Sequence, residues 1–200
     1  LKEYEGGIHE ETNIFRSLFS ESLARINGKK LSDHDVDAFL SELTVKLSND
    51  DLGRAFYNIL LNGINGYRLI DFEDHTRNSY HVVTELTYKN GDDEFRPDII
   101  LLVNGMPLSF VEVKKPNNKD GIIAEHNRIN SRFSRKVFRR FVNITQLMVF
   151  SNNMEYDALG GIVPIQGAFY CTGARSSAPF NCFREDNISQ QKIAPFHRDY

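Results

Sequence analysis

Apolar residues recur at helical spacing through the first sixty positions. Ile14, Phe15, Leu18, Phe19, Ser22 and Ile26 share one helix face. Ser32 stands three residues before Asp35 as an S-x-x-D cap, and Val36, Phe39, Leu40, Leu43 and Leu47 then repeat at i, i+3, i+4, i+7. After the Asn49-Asp50-Asp51 break, Leu52, Ala55, Phe56, Ile59 and Leu60 make a third apolar side, which Asn62-Gly63 ends. From Gly66 the period falls to two. Tyr67–Asp71 reads as a short strand and Tyr80–Tyr88 as a longer one, closed by Asn90-Gly91. Ile99–Val103 is a continuous apolar run, the pattern of a strand buried on both faces. Asn104-Gly105 turns the chain and Leu108–Lys114 returns it. A single helix is expected over Ile122–Val142, a strand over Gln146–Phe150, and a weaker strand or two within Ile162–Cys171. The last residues are polar and irregular, with Ser176-Ser177-Ala178-Pro179, and read as an edge or a linker. Helices, antiparallel strands, a helix and a further strand predict an α/β fold with a mixed sheet.

At 200 residues the chain makes one ordinary domain, with or without an appendage. Hydrophobic residues at 40% and charged residues at 26% exclude a disordered or collagen-like chain. No apolar run approaches the roughly 18–20 residues of a membrane span. The opening Leu1-Lys2-Glu3-Tyr4-Glu5 lacks the apolar core of a signal peptide. Cys171 and Cys182 are the only cysteines; they give no disulfide framework, no CxxC pair and no zinc site, so a cytoplasmic location is expected. A net charge of -3 excludes a strongly basic nucleic-acid binder by composition, though not a local basic patch. Gly28-Lys29-Lys30 is the nearest approach to a phosphate loop and fails its pattern, so no ATP-driven motor is expected within this chain.

Candidate chemistry lies where apolar strands meet charge. Arg96-Pro97-Asp98 precedes the apolar run, and Glu112-Val113-Lys114 ends the returning strand. Glu112 and Lys114 are two apart on an extended strand and project to one face. Two carboxylates and an ammonium suit metal-assisted phosphodiester hydrolysis. Carboxylate oxygens hold Mg²⁺, the ion polarises a phosphate and acidifies a water, and the lysine orients that water or offsets charge on the phosphate. An E-x-K triplet alone is common and is ordinarily a pair of strand-end charges. Here it adjoins Phe110 and Val111, and charges at the ends of buried strands need partners or a metal.

Arg96–Leu108, followed by Val111-Glu112-Val113-Lys114 and Pro116, resembles the N-terminal nuclease domain of type I restriction enzyme R subunits, members of the PD-(D/E)xK superfamily. The resemblance extends to Leu69-Ile70-Asp71-Phe72 and Asn78 upstream and to Val149-Phe150-Ser151-Asn152 downstream, roughly residues 10 to 170. It implies a restriction-endonuclease-like core with a mixed central sheet flanked by helices. Residues 1–65 would be an N-terminal helical extension, 66–172 the nuclease core, and 173–200 an irregular segment or linker toward an absent motor domain. It implies Asp98 and Glu112 as metal ligands assisted by the Val113 carbonyl, Lys114 as the catalytic lysine, and Mg²⁺ as cofactor, with ATP used only by the absent motor. The implied activity is that of a type I site-specific deoxyribonuclease, cutting without sequence preference of its own. The implied partners are double-stranded DNA and the methylation and specificity subunits, with no membrane. A catalytically inactive docking module on the same fold, or a solitary nuclease of another defence or repair system, are the rival readings. One departure stands out: the family's helix motif Gln-x-x-x-Tyr is replaced by Arg128 and Arg132 in the best placement.

On the helix expected over 122–142, Arg128, Arg132, Arg135 and Arg139 fall at i, i+4, i+7 and i+11. They make either a solvated face or a row of phosphate contacts. Glu85 is a possible accessory acid, although an exposed strand glutamate is the commoner case. The six histidines show no ligand spacing. The hairpin sets a geometric condition. A two-residue type I′ turn would place Asp98 opposite Val111 and send Glu112 to the other face. A metal shared by the two carboxylates therefore requires a turn of odd length, Asn104-Gly105-Met106, or a bulge that restores the phase. Pro107, with no N–H for a ladder, fits the longer turn.

Overall fold

The computed structural model describes residues 7–113, 121–151, 168–172 and 181–184. They divide into two units: Leu1–Phe110 with Phe133–Gln146, and Val111–Arg132 with Leu147–Tyr200. The architecture is α/β with a mixed central sheet and helices.

The first unit opens with a small ladder between β1 (Ile8–His9) and β2 (Ile14–Phe15). Ile14 and Phe15 therefore precede the first helix instead of beginning it. Asn13 adopts a left-handed φ of 57°, and the Thr12 hydroxyl accepts the Ile14 N–H, so the chain reverses before it coils. Helix α1 (Arg16–Asn27) follows and ends at left-handed Gly28. Helix α2 (Asp33–Leu47) carries the predicted capping box, in which Ser32 accepts the Asp35 N–H and Asp35 accepts the Ser32 N–H. Helix α3 (Arg54–Asn62) starts beyond an Asp51 carboxylate that takes the N–H groups of Gly53 and Ala55. Their apolar sides, including Phe19, Leu23, Leu40, Leu43, Leu47 and Phe56, share one core with Leu69, Met106, Leu108 and Ile144.

Tyr67–Asp71 forms no strand beyond a single bridge, Ile64 to Tyr67. The Asp71 carboxylate takes the N–H groups of Glu73 and Asp74, which winds the chain into a loop. The expected strand over 80–88 is also divided. β3 (Tyr80–Thr84) stops at Glu85, whose φ is 54°, and β4 (Tyr88–Asn90) instead pairs with β5 (Asp93–Phe95). β3 pairs antiparallel with β6 (Ile99–Val103) through five unbroken partners, Tyr80 with Val103 to Thr84 with Ile99. β6 is not buried on both faces, since Leu101 is 36% exposed. β7 (Met106–Val113) is the strand enclosed on both sides, with Met106 to Phe110 all buried. It lies beside β6, with β3 outermost.

The predicted single helix over 122–142 is broken. Helix α4 (Gly121–Phe133) ends, a 3-10 turn spans Lys136–Phe138, and α5 (Arg139–Ile144) resumes. Phe138 and Phe141 join Tyr88, Phe95, Phe110 and Phe133 in an aromatic cluster, with Phe95 and Phe141 edge-on at 5.0 Å. In an unbroken helix Phe138 would point about 140° away from Phe133, five residues earlier; the break brings both into one cluster, so aromatic packing overrides the local periodicity.

In the second unit β8 (Leu147–Ser151) pairs antiparallel with β9 (Ala168–Thr172), and β9 with β10 (Asn181–Arg184). β10 stands at one end of the sheet order, within the segment read as an edge or a linker.

Candidate active site

The site is built on the β6–β7 hairpin. The turn holds two residues, Asn104 and Gly105, with φ of 53° and 77°, both left-handed as a type I′ turn requires. The three-residue turn is therefore corrected. Met106 begins β7 instead of closing the turn, and Pro107 lies inside the strand. Gly105 is required twice over: a Cβ there would lie 2.7 Å from the Phe15 carbonyl oxygen and 2.8 Å from the Phe19 nitrogen. Its own carbonyl accepts the Phe15 N–H at 2.9 Å, which ties the turn to the start of α1.

Asn104 is fully buried and uses its whole amide. Its side-chain oxygen accepts the Ser79 N–H at 2.7 Å; its nitrogen donates to the Leu69 carbonyl and to Asn78 Oδ1, each at 2.8 Å. Asn78 in turn accepts the Asp71 N–H and donates to the Asp71 carbonyl. Asp71, 2% exposed, pairs with Arg77 at 3.2 Å and Arg68 at 3.7 Å. Arg77 also donates to the carbonyls of Arg25 and Ile26. Donation from the Asp74 backbone, and then from Glu73, with the two arginines nearby, holds the Asp71 carboxyl below the ordinary carboxylate range. In the sequence Asp71 and Asn78 stand out only through the family resemblance, and Asn104 only as a polar residue between two apolar runs, which also reads as an ordinary turn residue.

Asp98 is half-buried at the entry to β6, and its carbonyl accepts the Glu85 N–H at 3.0 Å. Glu85 thus adjoins Asp98 through backbone, while its exposed carboxylate lies 4.0 Å from Arg96. Glu112, on β7, is a buried carboxylate at 3% exposure, and Val113 is exposed. Asp98 belongs to the first unit, Glu112 and Val113 to the second. Lys114 lies outside the described residues. A buried carboxyl needs hydrogen bonds or a counter-charge to compensate its lost hydration, and ionised carboxylate oxygens are also the donors that hard cations take.

The four arginines do not form one helical row. Arg128 and Arg132 are on α4, whereas Arg135 lies in the break and Arg139 opens α5. Arg135 pairs with Asp93 at 2.6 Å and Arg139 with Asp50 at 3.2 Å.

A family model described as type I restriction enzyme R protein N terminus matches residues 2–159. The chain belongs to this family. Two relatives come from Methanocaldococcus jannaschii. The putative type I restriction enzyme MjaVIIIP endonuclease subunit is 26% identical over 170 residues, 78% of this chain and 16% of that protein. The putative MjaIXP endonuclease subunit is 29% identical over 161 residues, 71% of this chain and 15% of that protein. The chain thus spans about a sixth of the length of these R-family relatives. The family match takes in Asp98, Glu112 and Lys114, together with the Asp71–Asn78–Asn104 network. Among the described residues, no helix is long and apolar enough to cross a membrane.

Proposed function

We propose that this chain is the Mg²⁺-dependent, PD-(D/E)xK-type endonuclease domain of a type I restriction R subunit, cutting DNA without a sequence preference of its own. The reading is carried by the buried Glu112 carboxylate in a chain matched by that family over residues 2–159. Asp98 and Glu112, with the Val113 carbonyl, would hold the ion through oxygen donors. When bound, Mg²⁺ polarises the scissile phosphate and acidifies water. The Lys114 ammonium positions the attacking water and offsets charge that grows on the phosphate. Arg128 and Arg132 on α4 supply phosphate contacts that position a duplex without reading it. Sequence recognition then belongs to a separate specificity subunit, methylation to another, and ATP-driven translocation to a motor elsewhere in the subunit.

The test is cleavage of circular plasmid by the assembled complex with ATP and Mg²⁺. Asp98→Ala and Glu112→Ala should lose both cleavage and metal binding, by isothermal titration with Mn²⁺. Lys114→Ala should lose cleavage and keep most of the metal affinity. Translocation should survive all three. Wild-type cleavage by any one of these variants contradicts the assignment. A wild-type complex that translocates and never cuts would identify an inactive docking module.

A further inference from the structure

We propose that Glu85 is a positioning residue for Asp98. Its left-handed backbone, and not its carboxylate, fixes the strand entry from which Asp98 would reach the metal. The proposal rests on the Mg²⁺-dependent reading above and deepens it.

Five of the described residues other than glycine have a left-handed φ. Asn13, Asn65 and Asn104 are asparagines, which tolerate that region. Leu52 and Glu85 are not, and Glu85 sits at 54° in a stretch, Val83-Thr84-Glu85-Leu86-Thr87, that alternates as a strand. A residue held there against its preference marks a place where the surrounding structure needs the bend. The bend routes the chain from β3 toward β4, but routing alone does not fix where it falls. It falls one residue past the β3–β6 ladder. Glu85 and Asp98 are the next pair in the register that runs from Tyr80–Val103 to Thr84–Ile99, and the Glu85 N–H still donates to the Asp98 carbonyl at 3.0 Å. A bend one residue earlier would take this donor away from Asp98.

Both ends of the ladder are closed by backbone. At the hairpin turn the Asn104 N–H donates to the Ser79 carbonyl at 2.8 Å, beside the buried Asn104 amide. At the other end the closing bond is the one from Glu85 to Asp98. Upstream of Asp98, buried Pro97 fixes its own φ and keeps Arg96 extended. The Glu85 carboxylate is 68% exposed and 4.0 Å from Arg96, an ion pair worth little in water. What Glu85 contributes to Asp98 is therefore its peptide. A metal ligand already held within about 0.5 Å of its working position takes its ion without a further cost of ordering.

Variants of the full-length subunit test this. A β-branched residue resists the left-handed region, glycine enters it freely, and alanine removes the carboxylate at much the same backbone cost as glutamate. If Glu85→Val leaves about a tenth of the molecules in the bonded conformation, apparent metal affinity falls by the same factor. Isothermal titration with Mn²⁺, without nucleotide, should show Glu85→Val about tenfold weaker, with Glu85→Gly and Glu85→Ala within about threefold of wild type. In the assembled complex, the Mg²⁺ needed for half-maximal plasmid cleavage by Glu85→Val should rise about tenfold with the maximal rate near wild type. A merely structural defect would lower the maximal rate instead. Hydrogen exchange supplies a readout free of metal and of variants: the Glu85 amide of the wild-type subunit should exchange at least about tenfold more slowly than an unstructured amide. An unprotected Glu85 amide, or wild-type Mn²⁺ affinity in Glu85→Val, would overturn the proposal and leave the nuclease reading standing. Equal losses in Glu85→Ala, Glu85→Gly and Glu85→Val would make the carboxylate itself a ligand and overturn it as well. Unchanged Mn²⁺ affinity in Asp98→Ala would overturn both.

Discussion

Asp71 retains a carboxylate at 2% exposure because two backbone N–H groups and two guanidiniums surround it. Its pKa is depressed in the folded chain, first by the Asp74 N–H. Folding therefore favours the ionised form. The resulting stability is fully present above the unfolded value of about 3.9 and is lost as pH falls through the lower folded value. Thermal melts from pH 7 to pH 3 should show the wild type losing stability over that acid range. Asp71→Asn should start less stable at pH 7 and show a shallower acid dependence; parallel curves would contradict this role. The site residues differ in how legible they were. Asp98, Glu112 and Lys114 stand at the ends of apolar runs in a spacing that resembles a known family. Asp71 and Asn78 pair across 7 residues, whereas Asn104 depends on Ser79, Asn78 and Leu69, 25, 26 and 35 residues away. No local period encodes such pairings.

Among the elements, the β6–β7 hairpin bears the heaviest constraints. Gly105→Ala would force a side chain onto the backbone of Phe15 and Phe19 and should cost on the order of 1–3 kcal/mol. Asn104→Ala would strand buried partners on Leu69, Asn78 and Ser79 and should cost about 1–3 kcal/mol or more. Denaturant titration of each variant checks both, and near-wild-type midpoints would contradict the packing described. Helix α2 was legible because its capping box and 3.6 period agree, and α3 because its apolar period runs between the Asn49-Asp50-Asp51 break and Asn62-Gly63. The α4–α5 break was not, because the chain breaks to seat Phe138 and Phe141 in an aromatic cluster assembled from distant strands. The break also divides the arginines: Arg135 and Arg139 make ion pairs with Asp93 and Asp50, and Arg128 and Arg132 on α4 are the ones proposed to meet phosphate. Arg128→Gln/Arg132→Gln should lower the salt slope of duplex binding by roughly 1.8. Arg135→Gln/Arg139→Gln should leave more of the slope and cost up to about 1 kcal/mol per lost ion pair. Equal slopes from the two double variants would return all four arginines to one surface.

For the molecule as a whole, the hairpin turn sharpens what catalysis demands. With two residues in the turn and an unbroken β3–β6 ladder, Asp98 and Glu112 reach a common face only if a bulge alters the β6–β7 phase. The proposed shared metal therefore requires such a bulge; the two-residue turn alone does not supply it. The most direct measurement is anomalous scattering from a crystal of the chain grown with Mn²⁺. The account predicts one manganese peak within about 2.0–2.6 Å of carboxylate oxygens from both Asp98 and Glu112. Carboxylates on opposite faces of the sheet, with no peak shared between them, would contradict it.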